Sequence, residues 1–288
     1  MTTTRATTAG TNAGGEGRPA DDATAAGGRL SALGVLGELR RTGDIHVWGW
    51  RTGSAPDADD LDLLDEGELR RVREYHHPRD AAAFARTRAN ARRALGGLLD
   101  VPARDVSLGN RPCPSCGARQ HGPPVLLRPP YPLAVSLSRT EGYGMLAVSA
   151  DTSVGIDVEA LRPVDAEGLA DVVLTGRERA HVLGVPEGPV RAQRHFSCWT
   201  RKEAVVKAAG SGLLLADLTR LEVRPEDPGP VRSAFRDRGR TLTWWEVHDV
   251  PVEGPWTAAV ARPAEAPDRR GAPHTTGVVV LHPPGTEG

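Results

Sequence analysis

Apolar and polar positions along the chain follow two periods, and they do so twice in the same order. DIHVWGW alternates as a strand does; LDEGELRRVREY and ARTRANARRALGGLL carry apolar residues at helical spacing. A short strand near DVSLG follows, and LAVSLSRTEGYGMLAVSA reads as two alternating runs joined at a turn. The second pass offers the strand VGIDVE, the helices TGRERAHVL and SCWTRKEAVVKAAG, a short strand TRLEVRP, and a hairpin from TLTWWEVHDV to WTAAVARP. Trp244 and Trp245 fit a strand packed on both sides. The pattern predicts an α+β fold of two similar halves, 29–152 and 153–262, related by a pseudo-twofold, with an active site at their interface. Residues 1–28 and 263–288, rich in Thr, Ala, Gly, Pro and charge, are expected to be disordered tails.

Two stretches carry acids where the pattern does not ask for them. In SVGIDVEAL, Val154, Ile156 and Val158 alternate with Asp157 and Glu159, so a strand points both acids to one face, roughly 6 to 7 Å apart. Such a pair is either a solvated face or a cation site, and hard oxygen ligands suit Mg²⁺ held together with substrate phosphates. In CWTRKEAVVKAAG, Glu203 lies four residues after Trp199 and three before Val206, an acid on an apolar stripe. It either pairs with Lys207 in solvent or meets a metal as a third ligand. Lys202 and Lys207 flank it as point charges able to meet phosphate oxygens. Gly210 and Gly212 end the helix.

Composition narrows the picture. The 288 residues carry a net charge of −1, which argues against bulk binding to nucleic acid. No apolar run approaches the roughly 20 residues of a membrane span, so a cytoplasmic protein is expected. Of three cysteines, two stand in CPSCGARQHG. Cys113, Cys116 and His121 make half a zinc site, a loop with two thiols or a redox pair, and a zinc-ribbon nucleic-acid binder is the most distant reading. Cys198 is expected to be a packing residue. The acidic run from Asp57 to Glu68 reads as a helix start with a solvated face, ahead of the arginines between Arg70 and Arg93.

At Val154 to Glu159 and Trp199 to Leu213 the sequence resembles the Sfp-type 4′-phosphopantetheinyl transferases, which pair a GIDVE-like strand with a W-x-x-K-E-A-x-x-K-x-x-G-x-G-L helix. VSLSRTEGYGMLAVS and PRDAAAFARTRANARRALG look like two further family segments, and the resemblance covers about residues 44 to 262. It implies transfer of the phosphopantetheine arm of coenzyme A to a serine of an apo acyl or peptidyl carrier protein, releasing 3′,5′-ADP. It implies that Asp157, Glu159 and Glu203 bind Mg²⁺ and that Lys207, with Lys202 beside it, binds the diphosphate. Glu203 is the first candidate for proton acceptor, and Glu203 and Lys207 are the catalytic pair. By the same resemblance Ser138 contributes to the adenosine-phosphate pocket, Arg79 and Arg88 are candidates for the 3′-phosphate, and Glu178 matches an acid of less settled role. A monomer is expected.

Two positions depart from the family pattern. Arg139 stands where the family has His; it either forks onto phosphate and preserves coenzyme A binding or removes a proton-carrying group. Pro123 stands in place of a cation. They leave open a catalytically silent paralogue that binds coenzyme A or a carrier protein.

Overall fold

The computed structural model describes residues 31–266 and 277–282, except 115, 120–121, 213–215 and 237–240. The expected N-terminal tail, His121 and Leu213 lie outside the described residues.

The first half begins with α1 (Ala32–Thr42) and β1 (Ile45–Arg51). After the single turn α2 (Ala58–Leu61) comes α3 (Glu66–Glu74), started by a capping box in which Asp65 and Glu68 each accept the other's backbone N–H. Pro78, whose fixed φ suits a first helical position, opens α4 (Pro78–Leu99). Then follow β2 (Ser107–Asn110), β3 (Pro124–Arg128), β4 (Leu133–Thr140) and β5 (Tyr143–Ala150). The second half runs through β6 (Gly155–Ala160), α5 (Ala166–Val173), α6 (Gly176–Leu183) and α7 (Pro189–Ala209). It closes with β7 (Val231–Phe235), β8 (Thr243–Val250), β9 (Trp256–Ala264) and β10 (Val279–His282).

The architecture is mixed α+β. One four-stranded sheet has the order β10-β1-β5-β4, another β6-β9-β8-β7, and β2 and β3 form a separate ribbon. The described residues from Ser31 onward form one compact unit.

Two expectations are corrected. The strand expected at TRLEVRP is instead a 3₁₀ turn, Leu218–Arg220, followed by irregular chain, and the strand of that region is β7. The stretch after residue 262 is not wholly a tail, because β10 pairs in parallel with β1, Ile45 opposite Val279 through Trp48 opposite His282. Trp48 and His282 stack there with ring centroids 4.2 Å apart. Four residues gave too short a run for the alternation to be read.

The two four-stranded sheets meet along β4 and β6, and the seam is made by side chains. The hydroxyls of Ser136, Ser138 and Thr140 accept the N–H groups of Ile156, Val158 and Ala160 at 3.1, 3.3 and 3.1 Å. Alternate residues of a strand share a face, so three hydroxyls at spacing two can satisfy the free edge of a neighbouring strand. Ile45, Val47, Met145 and Ala147 from one sheet and Ile156, Val158 and Val260 from the other form a single apolar cluster across the seam.

On the other side of β6 lies α7. A Cβ at Gly155 would come within 2.0 Å of the Ala204 carbonyl oxygen and 2.4 Å of the Ala208 nitrogen, so the helix backbone rests directly on the strand. Arg201 ties the helix to β8 through a two-pronged pair with Asp249, at 2.8 and 2.6 Å. Gly210, at φ 65°, ends α7 in the left-handed conformation as its sequence position predicts.

Candidate active site

The close approach of α7 to β6 sets the site. Asp157 and Glu203 are both buried, at 4% and 7% exposure. Lys207, one turn beyond Glu203, places Nζ 2.6 Å from Asp157 Oδ1, 3.0 Å from Ser138 Oγ and 3.1 Å from the Ile156 carbonyl oxygen. Ser138 donates its own hydroxyl to Asp157 Oδ1 at 2.9 Å. Glu159 is less enclosed: Oε2 accepts from Arg162 at 3.1 Å and from Thr140 at 3.4 Å. The Arg162 guanidinium in turn lies over the Phe196 ring.

The electrostatics are those of a site with more negative charge than the local cations answer. Burial, then the charge of Asp157, pushes the Glu203 carboxyl up to about 7, with Lys207 pulling the other way and Glu159 adding to the rise. Burial likewise pushes Asp157 above the ordinary carboxylate range despite the pull of Lys207 and Ser138. Asp157 Oδ2 and Glu203 Oε1 are buried with no hydrogen-bond partner. Unpartnered buried oxygens on two acids are the donor set a hard cation takes up, and Mg²⁺ commonly binds through one or two carboxylates plus substrate phosphates. Among the described residues, no three His, Cys, Asp or Glu side chains are gathered closely enough to hold a metal by themselves. Glu159 is paired with Arg162.

The remaining site residues expected from the sequence fall in different places. Lys202 is fully buried, pairs with Glu178 at 2.6 Å and donates to the Leu218 carbonyl. It joins helices α6 and α7 instead of facing a diphosphate, because its stripe on α7 points away from β6. Glu178, of less settled role in the sequence, caps α6 and accepts the Val223 N–H at 2.8 Å. Arg88 is buried against Glu68 and the Leu108 carbonyl, and Arg92 meets the same acid at 2.7 Å. In this structure the Arg88 guanidinium, 8% exposed, is turned to Glu68 inside the protein. The acidic run is correspondingly more than a solvated face: Asp60, 2% exposed, holds Arg86 and Arg93 at 2.6 Å each.

Arg79 is exposed and meets Glu141 at 3.3 Å. Arg139 is also exposed, donates to the Tyr75 hydroxyl at 2.7 Å and lies 5.3 Å from the Phe84 ring centroid. A cavity of about 570 Å³ lined by Asp65, Arg92, Arg104 and Arg128 contains none of Asp157, Glu159 and Glu203. Cys198 is wholly buried in the apolar core, as its position inside α7 suggested. Sequence reasoning missed Ser136, Thr140 and Arg162. The hydroxyls at spacing two, Ser136-Leu137-Ser138-Arg139-Thr140, were the signal that could have found the first two.

A buried strand acid, a buried helix acid and a lysine paired with the strand acid are gathered within residues 153–261, and those residues match the family model of the 4′-phosphopantetheinyl transferase superfamily. The chain carries a domain of that superfamily. Over 197 residues it is 28% identical to the 4′-phosphopantetheinyl transferase HetI of Nostoc sp., covering 66% of this chain and 79% of that protein. A Synechocystis sp. protein, provisionally named a 4′-phosphopantetheinyl transferase, is 24% identical over 155 residues, 52% of this chain and 58% of its own length. The family match over residues 153–261 and the likeness to HetI support phosphopantetheinyl transfer as the activity. Among the described residues, no helix is long and apolar enough to cross a membrane.

Proposed function

We propose that this chain is an Sfp-type, Mg²⁺-dependent phosphopantetheinyl transferase that moves the arm of coenzyme A onto a serine of an apo acyl or peptidyl carrier protein and releases 3′,5′-ADP. The single observation that carries the reading is the pair of unpartnered buried oxygens, Asp157 Oδ2 and Glu203 Oε1, beside the Lys207 ammonium. Displacement at a diphosphate phosphorus spreads charge over oxygens, so positioned cations do most of the work. Bound there, Mg²⁺ would neutralise diphosphate charge as a Lewis acid. Asp157 and Glu203 would hold it, with Glu159 as the third ligand once free of Arg162. Lys207 contacts the same diphosphate as a point charge. Glu203, beside the reacting oxygens, is in this reading the group that takes the serine proton.

The reading of two similar halves is supported by the sheets, since in each the first strand pairs antiparallel with the last strand of the following hairpin: β1 with β5, and β6 with β9. Arg139, stacked among Tyr75 and Phe84 and exposed, is a coenzyme A contact in this reading, with Arg79 nearby in sequence to Phe84. We place the protein in the cytoplasm as a monomer.

Chromatography of a mixture of the protein, coenzyme A, an apo carrier and Mg²⁺ tests this. Formation of 3′,5′-ADP that requires both carrier and Mg²⁺ is expected; nucleotide release without carrier, or none in any mixture, would refute it.

A further inference from the structure

Ser138 sits where three groups need one hydroxyl. It donates to Asp157 Oδ1 and accepts from the Val158 N–H and from Lys207 Nζ, at 2.9, 3.3 and 3.0 Å. A serine hydroxyl has one proton and two lone pairs, so all of its hydrogen-bonding capacity is used inside the protein. With 7% of the residue exposed, the hydroxyl is committed to these three partners in the metal-free protein.

The consequence for Asp157 is geometric. Oδ1 takes both the hydroxyl and the ammonium, which fixes the carboxylate plane and leaves Oδ2 buried and without a partner. Positioning groups of this kind orient metal ligands without touching the ion. We propose that Ser138 is a positioning residue for the metal-binding carboxylate, holding Asp157 so that one oxygen is offered to the cation. This rests on the reading of Asp157 as a Mg²⁺ ligand. It assigns Ser138 a duty its neighbour in the seam lacks: Ser136 accepts the Ile156 N–H in the same manner but has no contact with an acid among the described groups.

The test is the affinity for coenzyme A, measured by calorimetry on the full chain without any carrier, once in EDTA and once in Mg²⁺. Wild type is expected to bind more tightly in Mg²⁺. Ser138→Ala is expected to lose at least fivefold of that Mg²⁺-dependent gain while its affinity in EDTA stays within twofold of wild type. Ser138→Thr, which keeps the hydroxyl, restores the gain. Ser136→Ala lowers the melting temperature and keeps the gain, separating loss of the seam from loss of positioning. A Ser138→Ala protein that keeps the full gain overturns the proposal, as does one whose loss is already present in EDTA, which would return Ser138 to the coenzyme A pocket. A wild type that gains nothing from Mg²⁺ overturns the metal reading itself, and the proposal with it.

Discussion

The Lys207 ammonium lies 2.6 Å from Asp157 Oδ1, on the carboxylate that the family resemblance assigns to a divalent cation. A tethered cation there compensates part of the buried charge, so on the proposed reading it stabilises the metal-free protein and would compete with the metal.

That competition gives the first prediction. Lys207→Met is expected to cut kcat/KM for coenzyme A by about 10²-fold or more, the usual scale for removing a charge aimed at a transition state. The same variant should bind Mg²⁺ more tightly than wild type in the absence of coenzyme A, by calorimetry. Weaker metal binding would show that the lysine supports the ion instead of standing in for it.

Glu203 predicts a pH dependence. Its carboxyl is raised to about 7 from 4.5, chiefly by burial and then by Asp157. A raised acid contributes stability that is fully present below the unfolded value and lost as pH rises through the folded one, so the window runs from about 4.5 to 7. In EDTA, Glu203→Gln should melt above wild type at pH 8 and not at pH 4.5. Metal ligation needs the ionised form, so Mg²⁺ should raise the wild-type melting temperature more at pH 8 than at pH 6. An equal rise at both values contradicts the assignment.

Gly155 predicts a backbone effect. An added methyl at 2.0 Å from the Ala204 carbonyl must push α7 off β6. Gly155→Ala is expected to cost about 1 to 3 kcal/mol in chemical denaturation, as overpacking does. Activity well below the melting temperature should fall by more than the unfolded fraction explains, because Glu203 and Lys207 ride on the displaced helix.

Lys202 separates the site from the scaffold. Both it and Glu178 are fully buried. Lys202→Met leaves Glu178 an uncompensated buried charge and should cost about 3 to 5 kcal/mol, part of which Lys202→Met with Glu178→Leu recovers. Unchanged stability with a raised KM for coenzyme A would restore Lys202 to the diphosphate.

The legible part of this fold was its long-period pattern. The sequence segments behind β1, α3, α4, the β4–β5 hairpin, β6, α7 and the β8–β9 hairpin all carried enough alternation or helical spacing to be seen. Among the elements that escaped, β10 is short and the turn at Leu218–Arg220 irregular, so local propensity says little there, while helices α1 and α5 were simply not read. In the site, Asp157, Glu203 and Lys207 were visible because acids beside apolar positions conflict with burial unless something answers them. The roles of Ser138, Lys202 and Arg88 were not visible, since each depends on which partner arrives from a distant segment: Asp157 for Ser138, Glu178 for Lys202 and Glu68 for Arg88.

The most direct measurement is the intact mass of an apo carrier protein after incubation with this protein, coenzyme A and Mg²⁺, beside an EDTA control and the Asp157→Ala variant. The account predicts a gain of about 340 Da, the mass of the arm moved in such a diphosphate displacement, with Mg²⁺ and wild type only. A carrier left unmodified under all conditions, or modified equally well in EDTA or by Asp157→Ala, would contradict it.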